Sequence, residues 1–200
     1  MKIQIIYLDN PFWRVELARI PLFVSGVVFD DKRIDLDEFR AAKETGFLKD
    51  GTRLPFHQIP CLVVDGVSIA QTGAIGRFCG KLAGLYPKED RISAALIDQF
   101  IDFVSDLTNL VYIPSNSPLT EGEKIEARKK LADGELKRKL DMLENNISES
   151  QNWLVGKEMT IADIAIWRGI GWLASDLVAG IPQPYFVKYP KITKIFKNVD

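Results

Sequence analysis

Gln58-Ile59-Pro60-Cys61-Leu62-Val63-Val64-Asp65-Gly66, continued by Val67-Ser68-Ile69-Ala70-Gln71-Thr72, is the stretch from which the fold is read. Cys61–Val64 and Val67–Ala70 are short apolar runs of strand character. Asp65-Gly66 between them is a two-residue hairpin signal, because both central positions of such a turn need positive φ. Thr72 then stands where a helix N-cap is expected, ahead of Ala74, Ile75, Phe78, Cys79 and Leu82 at helical spacing. Pro60 opens the first strand with φ held and no N–H to donate. In the cis form, taken by about 5–6 % of X–Pro bonds, it turns Ile59 so that its N–H and C=O face an extended ligand. A trans proline at a strand start is the plainer alternative. Gln71-Thr72 open a helix whose free N–H groups and dipole favour a carboxylate, unless they form only a cap.

Upstream, Lys2–Leu8 is an isoleucine-rich run that reads as a buried strand. After the Asp9-Asn10-Pro11 turn, Val15, Leu17, Ala18, Leu22, Phe23 and Val24 form a helical face. Pro21 interrupts it, predicting a kink or a lost hydrogen bond. Gly26 ends the helix, Val27-Val28-Phe29 starts a second strand, and Asp35–Ala42 is a short helix. Strand, helix, strand, then strand, strand, helix is the plan of an α/β thioredoxin-like domain, with a mixed four-stranded sheet covered on both faces.

Downstream, Gly84–Asp90 breaks the pattern. The reading is an N-terminal domain over 1–82, a linker over 83–90, and an all-α helical bundle over 91–200. Ile92–Tyr112 is a long amphipathic helix with Leu96, Phe100, Phe103, Val104 and Leu107 near one face. Glu121–Ile147 is one charged helix with Leu131, Leu136, Leu140 and Leu143 inward. Thr160–Leu177 is the buried central helix, and Lys191–Val199 is the last. Thr160 with Asp163 makes a capping box, with Met159 and Ile164 as its hydrophobic staple.

The composition narrows the function. With 200 residues, 46 % apolar and 26 % charged, the chain is an ordinary globular protein. A net charge of -1 argues against a nucleic-acid partner. No apolar run approaches the roughly 20 residues of a bilayer span, and the N-terminal apolar stretch is too short for a signal peptide. Two cysteines and one histidine leave little material for a zinc site or a Ser-His-Asp triad, so no metal is expected, and a reducing cytoplasm is the expected compartment.

The stretch 58–72 resembles the glutathione-site signature of cytosolic glutathione transferases, with Thr72 where members often carry serine. The resemblance implies that Ile59, beside Pro60, pairs with the cysteinyl backbone of glutathione, while Gln71 and Thr72 hold its γ-glutamyl end. Tyr7 is the one residue with a hydroxyl or thiol in the first 24 positions, which matches the tyrosine-using branch of the family. There the phenol donates to the glutathione sulfur and favours thiolate over thiol. A core tyrosine on a strand is the alternative. Arg14-Val15-Glu16-Leu17-Ala18-Arg19 resembles the first-helix pattern of the sigma-like classes, which makes Arg14 the candidate for favouring the anion. The loop from Tyr7 to Arg14 is one residue longer than usual there. Phe39 and Lys43 fall where sigma-like relatives place a tryptophan and a lysine for the glycyl carboxylate, and Gln58 adjoins Ile59.

Asp98, Asp102 and Asp106 recur at four-residue spacing, which suits a solvated face. The family often has an aspartate here that reaches glutathione across a dimer interface, and Asp106 is the candidate. A small hydrophobic electrophile is expected where Phe12 and Trp13 meet Leu107, Val111 and Tyr112, with core packing as the alternative for Leu107. No long tail follows the last helix, which suggests an open pocket. The resemblance thus implies a cytoplasmic homodimer joining glutathione to a small electrophile. A glutathione-dependent isomerase or peroxidase, or a non-catalytic binding protein, remains the alternative on the same fold.

Overall fold

A computed structural model describes residues 1–10, 13–114, 117–183 and 185–200. It divides into two compact units, Met1–Arg91 and Ile92–Asp200.

The first unit is built on strands β1 (Ile3–Tyr7), β2 (Asp30–Arg33), β3 (Cys61–Val64) and β4 (Val67–Ala70), in the order β2-β1-β3-β4. β2 runs parallel to β1, while β3 and β4 are antiparallel to their neighbours, giving the expected mixed sheet. Period-two alternation sends Ile3, Ile5 and Tyr7 to one face and Ile6 to the other. Helices α1 (Glu16–Val24) and α3 (Thr72–Ala83) cover the first face, through Val15, Ala18, Leu22, Ile75 and Cys79. Helix α2 (Leu36–Thr45) covers the second, with Ala42 against Ile6, Cys61 and Leu54. Asp35 caps α2 by accepting the Glu38 N–H at 2.7 Å, and Gly46 closes it in the left-handed region. Asp65 (φ 48°) and Gly66 (φ 86°) make the expected tight turn.

Two local expectations are corrected here. The second strand is Asp30–Arg33, not Val27–Phe29. An edge strand buried on neither face needs pairing with β1 rather than apolar residues, so the polar run forms the ladder while Val27 and Phe29 pack on the core. Thr72 is the first helical residue of α3, and Gln71 occupies the cap with φ 75° and ψ 120°. Helix α1 runs on through Pro21.

The second unit contains α4 (Arg91–Val111, its first residue in the first unit), α5 (Glu121–Asp133), α6 (Glu135–Asn146), α7 (Ile161–Leu173) and α8 (Pro190–Val199). The single helix expected over 121–147 is two, because Gly134 leaves helical dihedrals (φ -111°, ψ -110°). An isolated glycine is compatible with a helical pattern, so the break is invisible in periodicity. The central helix ends at Leu173, short of the expected Leu177, which is 54 % exposed. Of the 13 residues of α7, all but Trp167 are buried. Gly169 permits this closeness, since a Cβ there would lie 2.8 Å from Val104 Cγ1. No helix among the described residues is long and apolar enough to cross a membrane.

Candidate active site

The site begins with strand register. Ile6 pairs with Cys61, and Cys61 pairs with Ala70. One residue further along each strand, at the same end of the sheet, stand Tyr7, Pro60 and Gln71. Three segments far apart in sequence thereby meet at one edge. The Ile59–Pro60 peptide is cis. Ile59 is half-buried and contributes to both faces of the core, while among the described residues no hydrogen bond engages its main chain. An unused N–H and C=O at a sheet end are free to pair with an extended ligand.

Tyr7 is only 2 % exposed and packs with Val15, Leu62 and Ile75, and its carbonyl accepts from the Ile34 N–H at 2.9 Å. Gln71 projects into solvent from a positive-φ position, a conformation costly for any side-chain-bearing residue. Thr72 is buried beneath it at the start of α3, where the first N–H groups of a helix lack intrahelical partners. The geometry is that of an anion-accepting helix start beside an open main-chain segment and a buried phenol.

The chain matches a family model for the glutathione S-transferase N-terminal domain over residues 3–80, and one for the C-terminal domain over 100–199. It is 33 % identical over 172 residues to glutathione S-transferase 1 of Ascaris suum, covering 82 % of this chain and 79 % of that one. The chain belongs to the glutathione S-transferase family. As a member it is a glutathione transferase by enzyme class. Glutathione S-transferase A2 of Homo sapiens is 27 % identical over 182 residues, with 88 % and 78 % of the two chains covered. Among solved structures, rat hPGDS complexed with a quinoline shares the fold at a TM-score of 0.81 and 20 % identity, covering 100 % of this chain and 91 % of that one. The glutathione S-transferase of Ascaris lumbricoides shares it at 0.72 and 23 %, covering 100 % and 91 %.

The other residues expected at a transferase site take varied places. Lys43 lies with its ammonium 5.5 Å from the centre of the Phe39 ring, both on α2, so the aromatic there serves as a cation-π platform. Gln58 is extended and exposed, directly before Ile59. Arg14 is half-buried in the turn before α1, and Trp13 packs against the core under that helix. Phe12 lies outside the described residues. On α4, in the second unit, Asp106 is exposed and Leu107 and Val111 are buried, and Tyr112, directly after the helix, is 44 % exposed.

Neither cysteine belongs to the site. Burial pushes the Cys61 thiol up and Cys79 up to about 12, so both stay protonated and inert. Sequence reasoning missed His57. As the one histidine it reads only as too little for a zinc site or a Ser-His-Asp triad, yet it sits between α2 and Gln58 with its ring hydrogen-bonded to the Lys43 main-chain oxygen. A histidine three residues before the signature strand's proline was the available signal.

Proposed function

We propose that this transferase binds glutathione along the edge formed by Tyr7, Ile59-Pro60 and Gln71-Thr72, and that the Tyr7 hydroxyl activates its sulfur. Ile59 pairs with the cysteinyl backbone, Gln71 and Thr72 take the γ-glutamyl carboxylate, and Lys43 and Gln58 face the glycyl end. The observation that carries this reading is the Ile6–Cys61–Ala70 register, which supports bringing the three segments to one ligand.

A cysteine-type thiol with a pKa of about 8.5 is only a few per cent ionised at neutral pH. The Tyr7 O–H donates a hydrogen bond to sulfur. That bond is stronger to thiolate than to thiol, so it lowers the thiol pKa. In a low-dielectric wall of Val15, Leu62 and Ile75 such a donor acts more strongly than in water. Arg14 adds positive charge on the same side of the equilibrium. The thiolate then attacks a small hydrophobic electrophile, forming the carbon–sulfur bond as the leaving group takes the electron pair. The buried, protonated state of Cys61 and Cys79 supports a reaction that uses the sulfur of glutathione rather than the chain's own.

The same reading includes a sigma-like homodimer in the cytoplasm, with Asp106 directed to glutathione across the dimer. Its support is the pattern around Arg14 and the exposure of Asp106.

The test compares the native chain with Tyr7→Phe in conjugating glutathione to a nitro-activated aryl halide. Removing a hydrogen bond to a charged sulfur lowers kcat roughly ten- to a hundredfold. Binding of a non-reactive S-alkyl glutathione is retained, and the thiolate absorbance of bound glutathione moves to higher pH. A Tyr7→Phe chain as fast as the native one sinks the reading.

A further inference from the structure

We propose that His57 is a positioning residue for the glutathione site, holding the Gln58-Ile59 segment and the end of α2 in one arrangement. The inference rests on the site reading above and concerns how that site is kept in shape.

The ring Nδ1 of His57 lies 2.8 Å from the main-chain oxygen of Lys43. A carbonyl has no proton to give, so Nδ1 carries the hydrogen and donates. Lys43 O belongs to the last turn of α2, where carbonyls lack intrahelical partners. The side chain of His57 therefore caps the helix bearing Phe39 and Lys43. A main-chain bond runs alongside, from Leu54 N–H to Gly46 O at 2.7 Å. The turn itself is closed by His57 N–H donating to Leu54 O at 3.0 Å. Gly46 leaves the space the ring needs, since a Cβ there would come 2.7 Å from Nε2.

The backbone shows that the ring matters. Phe56 and His57 have φ of 58° and 52°, consecutive left-handed residues in the 3-10 turn Pro55–His57. Such φ values disfavour side-chain-bearing residues, although histidine is among those found there more often. The contact with Lys43 offsets that cost and selects this path of the chain. Directly after the turn come Gln58 and Ile59, the latter with no main-chain hydrogen bond of its own among the described residues. The ring is thus a tie that reaches both sides of the proposed glycyl and cysteinyl subsites: Lys43 on α2, and Gln58-Ile59 on the approach to β3.

Three substitutions separate the ring from the backbone. His57→Ala loses the donor and keeps a side chain at positive φ. His57→Gly loses the donor and suits the φ. His57→Asn places an amide N–H the same number of bonds from the backbone as Nδ1 and tolerates the φ. KM for glutathione and kcat with the aryl halide are measured for each, with binding of S-methylglutathione by calorimetry and the thermal midpoint as a folding check.

The expected result is that Ala and Gly raise KM and the S-methylglutathione dissociation constant roughly three- to tenfold, the scale of one hydrogen bond. In both, kcat stays within about twofold, because sulfur activation belongs to Tyr7, and Asn restores native values. Native affinity in His57→Gly overturns the proposal, since the ring is then dispensable. So does a fall in kcat matching the rise in KM, or a failure of Asn to rescue. Loss of glutathione binding by the native chain takes away the site reading itself, whereas unchanged variants of a binding chain remove only the role of His57.

Discussion

Asp163 accepts from both the N–H and the hydroxyl of Thr160, at 2.8 and 3.0 Å, while its other oxygen accepts the Leu154 N–H at 2.8 Å. The carboxylate thus joins the start of α7 to the preceding loop in a site with no solvent exposure. Burial pushes its carboxyl above the usual range, with the Leu154 and Thr160 donors pulling the other way. Asp163→Ala leaves three partly buried donors unmatched and is expected to cost about 2–4 kcal/mol. Asp163→Asn keeps an acceptor oxygen and costs less. Urea denaturation at constant m-value measures both. An alanine variant within the error of native would show that the box is dispensable.

Gln71 occupies a backbone position suited to glycine, with φ 75° and ψ 120°. Strain of this kind costs about 1–3 kcal/mol and persists where function needs the side chain. Gln71→Gly is therefore expected to hold or raise stability, by about 1 kcal/mol after the entropy of the added glycine. At the same time KM for glutathione rises roughly tenfold, as the amide fork is lost. A thermal melt and a KM determination on one preparation decide it. Stability falling together with affinity would argue that Gln71 serves only the fold.

Lys32 on β2 pairs with Asp50 at 2.5 Å, and the Thr52 N–H donates to the same carboxylate at 3.0 Å. These partners hold Asp50 down at about 2 against an ordinary 3.8. A depressed folded-state pKa means the unfolded chain takes the proton first. The stabilisation is complete above the ordinary value and disappears as pH falls through about 2. The side chain is half exposed, so solvent screening keeps the effect to about 1 kcal/mol or less. Acid titrations of stability for native and Asp50→Asn should converge at low pH and separate at neutral pH. Parallel curves throughout would contradict this.

Gly76 on α3 faces Leu17 on α1 so closely that an added Cβ would lie 2.6 Å from Leu17 Cγ and Cδ2. Gly76→Ala must displace a fully buried leucine, at about 1–3 kcal/mol despite the better helix propensity of alanine. Leu17→Ala in the same chain removes the clash, so the double variant should be less destabilised than the sum of the singles. Simple additivity in denaturation midpoints would mean the two helices separate freely.

Much of this was legible in the residues because the signals are local. Asp65-Gly66 adopts its turn through its own dihedral preferences, and Thr160 with Asp163 close a box three residues apart. The polar β2 and the break at Gly134 were not legible. A strand held by one neighbour needs no apolar pattern, and a glycine within a helical period carries no mark of whether it bends.

By itself the sequence determined the alternation of strands and helices in the first unit, the hairpin, the capped start of α7 and the residue types available for chemistry, since each depends on neighbours a few positions apart. Tertiary structure decided that Ile6 pairs with Cys61, so that Tyr7 and Pro60 end side by side, and that the His57 ring meets Lys43 O. It also decided the isomer of Ile59–Pro60, between whose forms the free-energy difference is small in any chain. Contacts across tens of residues form only when the whole sheet and its covering helices repay the entropy of closing the loops between them, and no local pattern records that balance.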